Sequence, residues 1–320
     1  MNQPTASAAG TFDLGGDLPV NRLGYGAMQI TGEGVWGWPK DRDGAVAVLR
    51  RAVELGVTLI DTADCYGPTV SEELIREALH PYADDVVIAT KAGLTRTGPG
   101  EWIPVGRPAY LKQQVELSLR RLGLERIDLI QLHRIDPEVP VADQVGAFKE
   151  LQAEGKVRHI GLSEVDVAQL KEAQQTAEIV SVQNLYNLAH RDSQELLDHC
   201  TAENIAFIPW FPLATGQLAA SDGPLTELAR EHGTSPSQLA LAWLLHGRQL
   251  PGADALGELA EHLQSLGPAD LRGEIERLVE ASQGRMAVQP LLEQESSAAG
   301  ERRAPAPEQL ASLQRSLHSA

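Results

Sequence analysis

The chain has 320 residues, 42% of them hydrophobic but only 4% aromatic, and a net charge of −17. Such an acidic balance excludes nucleic-acid phosphates as the main partner and an anionic membrane surface as a docking site. Cys65 and Cys200 are too few for a disulfide framework or a cysteine-rich zinc site, and no stretch reaches the roughly 20 apolar residues of a spanning helix. Met1 to Thr11 is small and polar without the basic and apolar runs of a secretory signal, so a flexible N-terminus and a reducing, cytoplasmic setting are expected. No metal site is expected either.

Apolar β-branched runs alternate with amphipathic helical runs along the chain. Leu23–Met28 reads as a strand, followed by a helix near Asp43–Leu55 that Gly56 stops. Val57–Asp61 is a buried-strand pattern, and Glu72–Leu79 a helix with Ser71 as its cap. Strands at Val86–Lys91, Ile127–His133 and Val157–Ser163 are separated by helices at Pro108–Leu122 and Val141–Ala153. Then come a helix at Val167–Gln175, a strand at Ile179–Gln183, a helix at Ser193–Cys200 and a strand at Ile205–Trp210. Two helices follow, Leu225–Glu231 and Pro236–Leu245. Strands separated throughout by helices are parallel with helical crossovers, and strands of similar length favour a closed barrel over a doubly wound sheet. The fold class is therefore α/β, a (β/α)8 TIM barrel whose eighth strand is short, displaced or distorted. Residues 12–267 form the barrel, after a flexible segment 1–11 and before a divergent, partly helical tail 268–320.

Most of these strands turn polar at their C-terminal ends, at Asp61, Lys91, His133, Ser163, Gln183 and Trp210. In a barrel those ends ring the mouth where active sites are built. A lysine at a buried strand end needs a counter-ion, and Asp61 on the neighbouring strand supplies one. Tyr66 beside that ammonium has its phenolate stabilised, so its pKa should fall from about 10 toward the range of a working acid. His133 across the mouth can hold a carbonyl oxygen or help move the proton. Cys65 lacks an activating partner in the sequence and reads as packing, as does Cys200. Trp36 and Trp38 in the loop after the first strand, and Trp102 after the third, read as aromatic walls for a substrate.

These residues resemble the aldo-keto reductases. The segment from Asp61 to Gly67, the Thr90-Lys91 pair and the strand ending in His133 look like that family's catalytic Asp, Tyr, Lys and His. Gly161-Leu162-Ser163-Glu164, Val182-Gln183-Asn184 and Ile208-Pro209-Trp210-Phe211-Pro212-Leu213 look like its nicotinamide-binding strand ends. The resemblance spans Val20 to Leu245 and is greatest toward a bacterial branch that includes pyridoxal reductases. It implies a barrel that binds NADPH extended across its mouth and reduces a small-molecule carbonyl. Tyr66 would then donate the proton, Lys91 and Asp61 tune it, and His133 orient the substrate. Ser163 and Gln183 would hold the carboxamide and Trp210 stack on the nicotinamide. Phe211, Pro212 and Leu213 would border it, and Gly26, Ala27 and Met28 would line it near the first strand. Glu164 stands where many members have Asn.

After Leu245 the family pattern breaks. Pro251-Gly252 can be matched, with Glu261-His262 at the usual Glu-Asn position, but Ala253 has no hydroxyl and Asp254 would repel a phosphate. This altered segment opens NADH as an alternative to NADPH. Helical patterns recur at Leu256–Leu266 and Ile275–Ala281, and Arg285–Leu292 is an apolar stretch able to supply the missing strand. Glu293–Pro307 has the composition of a flexible segment, and Pro307–Leu317 reads as a last helix. Beside an active reductase, two readings stand: a cofactor-sensing or scaffolding protein of the same fold, and an enzyme run as a dehydrogenase or on an imine. Neither the substrate nor the oligomeric state is legible.

Overall fold

The computed structural model describes residues 5–219, 225–231 and 234–246. A short helical turn at Ala6–Ala9 precedes an antiparallel hairpin of β1 (Thr11–Leu14) and β2 (Leu18–Asn21). The barrel then runs β3 (Tyr25–Gly26), α1 (Arg42–Glu54), β4 (Leu59–Asp61), α2 (Val70–Leu79) and β5 (Val87–Ala92). A second small hairpin, β6 (Leu94–Thr95) and β7 (Ile103–Pro104), leads to α3 (Pro108–Leu122), β8 (Ile127–Leu132), α4 (Val141–Ala153) and β9 (Val157–Ser163). α5 (Val167–Gln174), β10 (Ser181–Leu185), α6 (Gln194–Ala202), β11 (Ala206–Trp210), α7 (Thr226–Glu231) and α8 (Pro236–His246) follow.

Seven parallel strands form one sheet in the order β11-β10-β9-β8-β5-β4-β3, the arrangement of a (β/α)8 barrel. Among the described residues no strand bridges β11 and β3. The expected eighth strand, the alternative at Arg285–Leu292 and the boundary at residue 267 lie outside the described residues. Among those residues no helix is long and apolar enough to cross a membrane.

Local chemistry explains the helix boundaries. α3 begins with Pro108 in its first turn and ends at Gly123, whose φ is 71°. α5 has a reciprocal cap between Asp166 and Gln169. Three sequence readings change. Ser71 does not cap α2: it lies inside the first turn, where its buried hydroxyl accepts from Thr62 Oγ1 (2.8 Å) and donates to the Ala27 carbonyl (3.0 Å). The first strand keeps only Tyr25 and Gly26, because Ala27–Ile30 wind into a helical turn. Within the segment expected to be flexible, the described residues from Thr5 onward pack on the barrel: Ala6 is buried and its N–H bonds the Leu55 carbonyl at 2.7 Å.

The apolar core has an outer layer between strands and helices and an inner one at the barrel floor. In the inner layer Leu14, Leu18 and Val20 of the hairpin pack on Leu59, Val87, Ala89, Leu129, Val180 and Ala206, near the strands' N-terminal ends. Burying a Leu or Val is worth about 1.5–3 kcal/mol, so the hairpin is a substantial plug. Asp17 at its turn accepts from His159 Nε2 (2.6 Å) and pairs with Arg158 Nη2 (3.0 Å), fixing it to β9.

Inside the barrel, Gly161 on β9 faces Ser181 and Gln131. A Cβ there would lie 2.1 Å from Ser181 Oγ and 3.0 Å from Gln131 Cγ. Gly161→Ala is expected to destabilise the fold by about 1–3 kcal/mol through overpacking, read by urea unfolding. An unchanged midpoint would mean that the strands can part there without cost.

Candidate active site

Parallel register places the polar strand ends on one mouth. Lys91, 0% exposed, spends its three ammonium protons on Asp61 Oδ2 (2.6 Å), the Thr62 carbonyl (2.9 Å) and Tyr66 Oη (3.4 Å). Asp61 Oδ1 accepts from Gln183 Nε2 at 3.0 Å and Gln131 Nε2 at 3.2 Å. The carboxylate is therefore held from three strands. Burial alone would lower the Lys91 pKa, but Asp61 and Tyr66 outweigh it and the net shift is upward. Lys91 is a fixed cation.

The Tyr66 expectation reverses. Burial raises its pKa to about 12, and the Lys91 ammonium offsets only part of that rise, with Asp61 acting against it. The phenol is thus a stable proton carrier at neutral pH rather than a half-ionised one. His133, directly after β8, meets Tyr66 edge-on with ring centroids 5.7 Å apart. Burial first, then the charges of Lys91, Arg134 and Arg96, hold its pKa well below the usual histidine value. A neutral His133 offers one N–H and one acceptor.

Cys65 packs against this group, but its Sγ also lies 3.4 Å from His133 Nδ1. Burial and Asp64 raise its thiol pKa well above the ordinary value, which removes it as a nucleophile. Asp64 is buried as well, and burial with the nearby Glu72 raises its pKa strongly. Among the described residues, donor atoms of Asp64, Cys65 and His133 lie within 4.8 Å of one another, close enough to share a metal ion. Cys200 is buried in the outer core.

Ser163, Gln183 and Trp210 stand on the adjacent strands β9, β10 and β11. Ser163 Oγ accepts from Arg134 Nη1 at 3.1 Å, and among the described residues its own proton has no acceptor. Trp210 gives its indole N–H to Glu164 Oε1, which also accepts from the Leu185 N–H at 2.7 Å. Phe211 (φ 52°) packs edge-on against Trp210, and its carbonyl accepts from Asn187 Nδ2. Pro212 follows it in the chain, and Leu213 turns toward a separate apolar cluster with Ala214 and Leu218. At the other edge Gly26 is exposed, with nothing within 4 Å of where a Cβ would stand. Ala27 is fully buried in the outer core, and Met28 packs on the Tyr66 cluster.

The three tryptophans separate. Trp102 meets Tyr66 edge-on at 6.3 Å and His133 at 6.4 Å. Trp36 is near the same cluster through Arg96, whose guanidinium lies 5.7 Å from its ring. Trp38 instead lies under Arg42, 4.3 Å away, and is 45% exposed. Sequence reasoning missed Gln131, Arg134 and Arg96. Gln131 left a signal as an uncharged polar residue near the C-terminal end of the run Ile127–Leu132, and Arg134 as the neighbour of His133. Arg96 left none.

The Aldo/keto reductase family model matches residues 22–269. An uncharacterized oxidoreductase of Schizosaccharomyces pombe is 49% identical over 82% of this chain and 86% of its own length. Pyridoxine 4-dehydrogenase of Escherichia coli is 43% identical over 80% of this chain and 92% of its own. An aldo-keto reductase from Klebsiella pneumoniae, solved in complex with NADPH, superposes with a TM-score of 0.63 at 26% identity, covering 98% of this chain and 95% of that one.

The depressed His133 pKa has a thermodynamic signature. The folded protein keeps His133 neutral while the unfolded chain takes up a proton below about 6.5, so stability drains away as pH falls from there. His133→Asn is expected to shrink the drop in melting temperature between about pH 7.5 and pH 5.5. A drop equal to that of the parent would place the acid sensitivity elsewhere.

Proposed function

The chain belongs to the aldo/keto reductase family, an oxidoreductase family, and we propose that it is an NADPH-dependent carbonyl reductase with Tyr66 as the proton donor. The observation that carries this reading is the buried pair Lys91 and Tyr66 with Asp61 on the ammonium and His133 across the ring. A scaffold or cofactor sensor has no need of a buried ammonium aimed at a phenol. The residues of the altered C-terminal segment, on which a choice between NADPH and NADH rests, lie outside the described residues. The NADPH bound to the Klebsiella relative supports the phosphorylated cofactor.

The strand ends fit a nicotinamide. Among the described residues Gln183 Oε1 takes no hydrogen bond, and Ser163 has a hydroxyl proton to give, a donor–acceptor pair that suits a primary amide. Trp210, with Phe211, Pro212 and Leu213 after it, would border the ring, and Gly26, Ala27 and Met28 the far side. When bound, the reduced nicotinamide supplies the hydride. Tyr66 Oη gives its proton to the carbonyl oxygen, and Lys91, 3.4 Å away, stabilises the phenolate left behind. Asp61 keeps the ammonium in place, and neutral His133 donates one N–H to the same carbonyl oxygen. Trp36, Trp38 and Trp102 are the proposed aromatic walls, with Trp102 nearest the chemistry. They suit a small aromatic aldehyde, and the dehydrogenase relative makes pyridoxal the first substrate to try. The protein is proposed to act in the cytoplasm on free small molecules, without nucleic-acid or membrane partners.

Titration with NADPH should quench tryptophan fluorescence, because Trp210 borders the proposed ring site. No quenching by NADPH or NADH at millimolar concentration would overturn the reading. Tyr66→Phe is expected to lower kcat for pyridoxal reduction by about a hundred- to ten-thousand-fold with cofactor affinity kept. Turnover retained in that variant would remove Tyr66 from the proton step. With the Tyr66 pKa near 12, reduction should be flat from about pH 7 to 9, while the reverse oxidation, which needs the phenolate, rises with pH.

A further inference from the structure

Arg96 lies in the loop between β6 and β7, and its guanidinium is buried. Among the described residues no carboxylate pairs with it. Backbone carbonyls surround it instead. Nε donates to Glu101 O at 2.6 Å, Nη1 to Val35 O at 2.9 Å and Cys65 O at 3.1 Å, and Nη2 to Gly34 O at 2.8 Å and Gly98 O at 3.3 Å. A guanidinium has five N–H donors, and each has found an oxygen. Its plane also lies 3.6 Å from the centroid of Trp102 and 5.7 Å from that of Trp36.

These oxygens come from three different βα loops. Gly34 and Val35 belong to the loop after β3, Cys65 to the loop after β4, and Gly98 and Glu101 to the loop after β6. Each loop carries a residue of the proposed substrate chamber near Arg96, Trp36, Tyr66 and Trp102, and the first also carries Trp38. The first loop is strained where it reaches Arg96. Val35 is β-branched yet has a φ of 54°, beside Gly34 at 68°. Val35 O also accepts from Gly67 N (3.1 Å), and Gly34 O from Gly100 N (3.0 Å), so the guanidinium sits at the knot of a small network. Strain of this kind persists only where the surroundings over-determine it.

We propose that Arg96 is a positioning residue that sets the spacing between the aromatic walls and the Tyr66 hydroxyl, and so selects bulky aromatic carbonyls over small aliphatic ones. It touches no reacting atom and acts through Trp36, Trp102 and the Cys65–Tyr66 backbone. The inference rests on the reductase reading for its kinetic half and on geometry alone for its structural half. Lysine keeps the charge but brings three donors where five are used, and methionine keeps the length and brings none.

The test compares Arg96→Lys and Arg96→Met with the parent protein on two probes, 4-nitrobenzaldehyde and propanal. In Arg96→Met the KM for 4-nitrobenzaldehyde is expected to rise about tenfold or more, while kcat and KM for propanal change less than about threefold. Arg96→Lys should fall between. Equal losses on both probes, or no loss on the aromatic one, would overturn the proposal. Amide hydrogen exchange of the same proteins provides a readout that needs no turnover. Gly67 and Gly100 should exchange about tenfold faster in Arg96→Met, with the β5 amides unchanged. A parent protein that reduces neither aldehyde would sink the reductase reading, and accelerated exchange would still uphold the clamp. Unchanged exchange at both glycines would overturn the clamp whatever the activity.

Discussion

A lysine ammonium with no exposed surface has to be surrounded by acceptors before the barrel around it can close. An unpaired ion in that position costs several kcal/mol. Lys91 meets the requirement with one carboxylate, one backbone carbonyl and one phenol. One of these partners ends β4 and the other two follow it in the next loop, so β4 and β5 can pair in one register only. A slip of one residue would turn Lys91 to the opposite face and strand both charges.

The same constraint runs around the ring. Lys91 is level with Gln131, Gln131 with Gly161, and Gly161 with Ser181. The absent side chain at Gly161 is what gives Gln131 and Ser181 their space, and Gln131 in turn reaches Asp61. Glu72, buried on α2, supports the row from outside by accepting from Thr90, next to Lys91, and pairing with Arg121 of α3. Chemistry and architecture thus share their parts. The groups that hold the proposed proton donor also fix which strand lies beside which.

Much of this was legible in the sequence because barrel strands are buried on both faces and stand out as apolar runs. β9, α3 and α4 begin and end where the pattern places them. The polar residues that close those runs mark the mouth. Burial, however, depends on what is packed above a residue, and a sequence does not list that. Asp61 and Lys91 were visible as charges beside Tyr66, whereas the apolar surroundings that push its pKa upward were not. The hairpin Thr11–Asn21 escaped notice because its strands are four residues each and bury alternate side chains only. Arg96 escaped for another reason: its partners are carbonyl oxygens, which every residue has.

The hairpin gives the barrel a floor, and the floor makes it a cup rather than a tube. Among the described residues Leu14, Leu18 and Val20 close the end of the barrel away from the polar cluster, so the cluster faces water through the mouth. In an enzyme working as proposed, cofactor and substrate together form the stopper. The proton handed over in a turnover is then the one already aboard when the stopper went in. Its replacement waits until the alcohol departs, so the refill of Tyr66 is timed by product exit and not by the acidity of the medium.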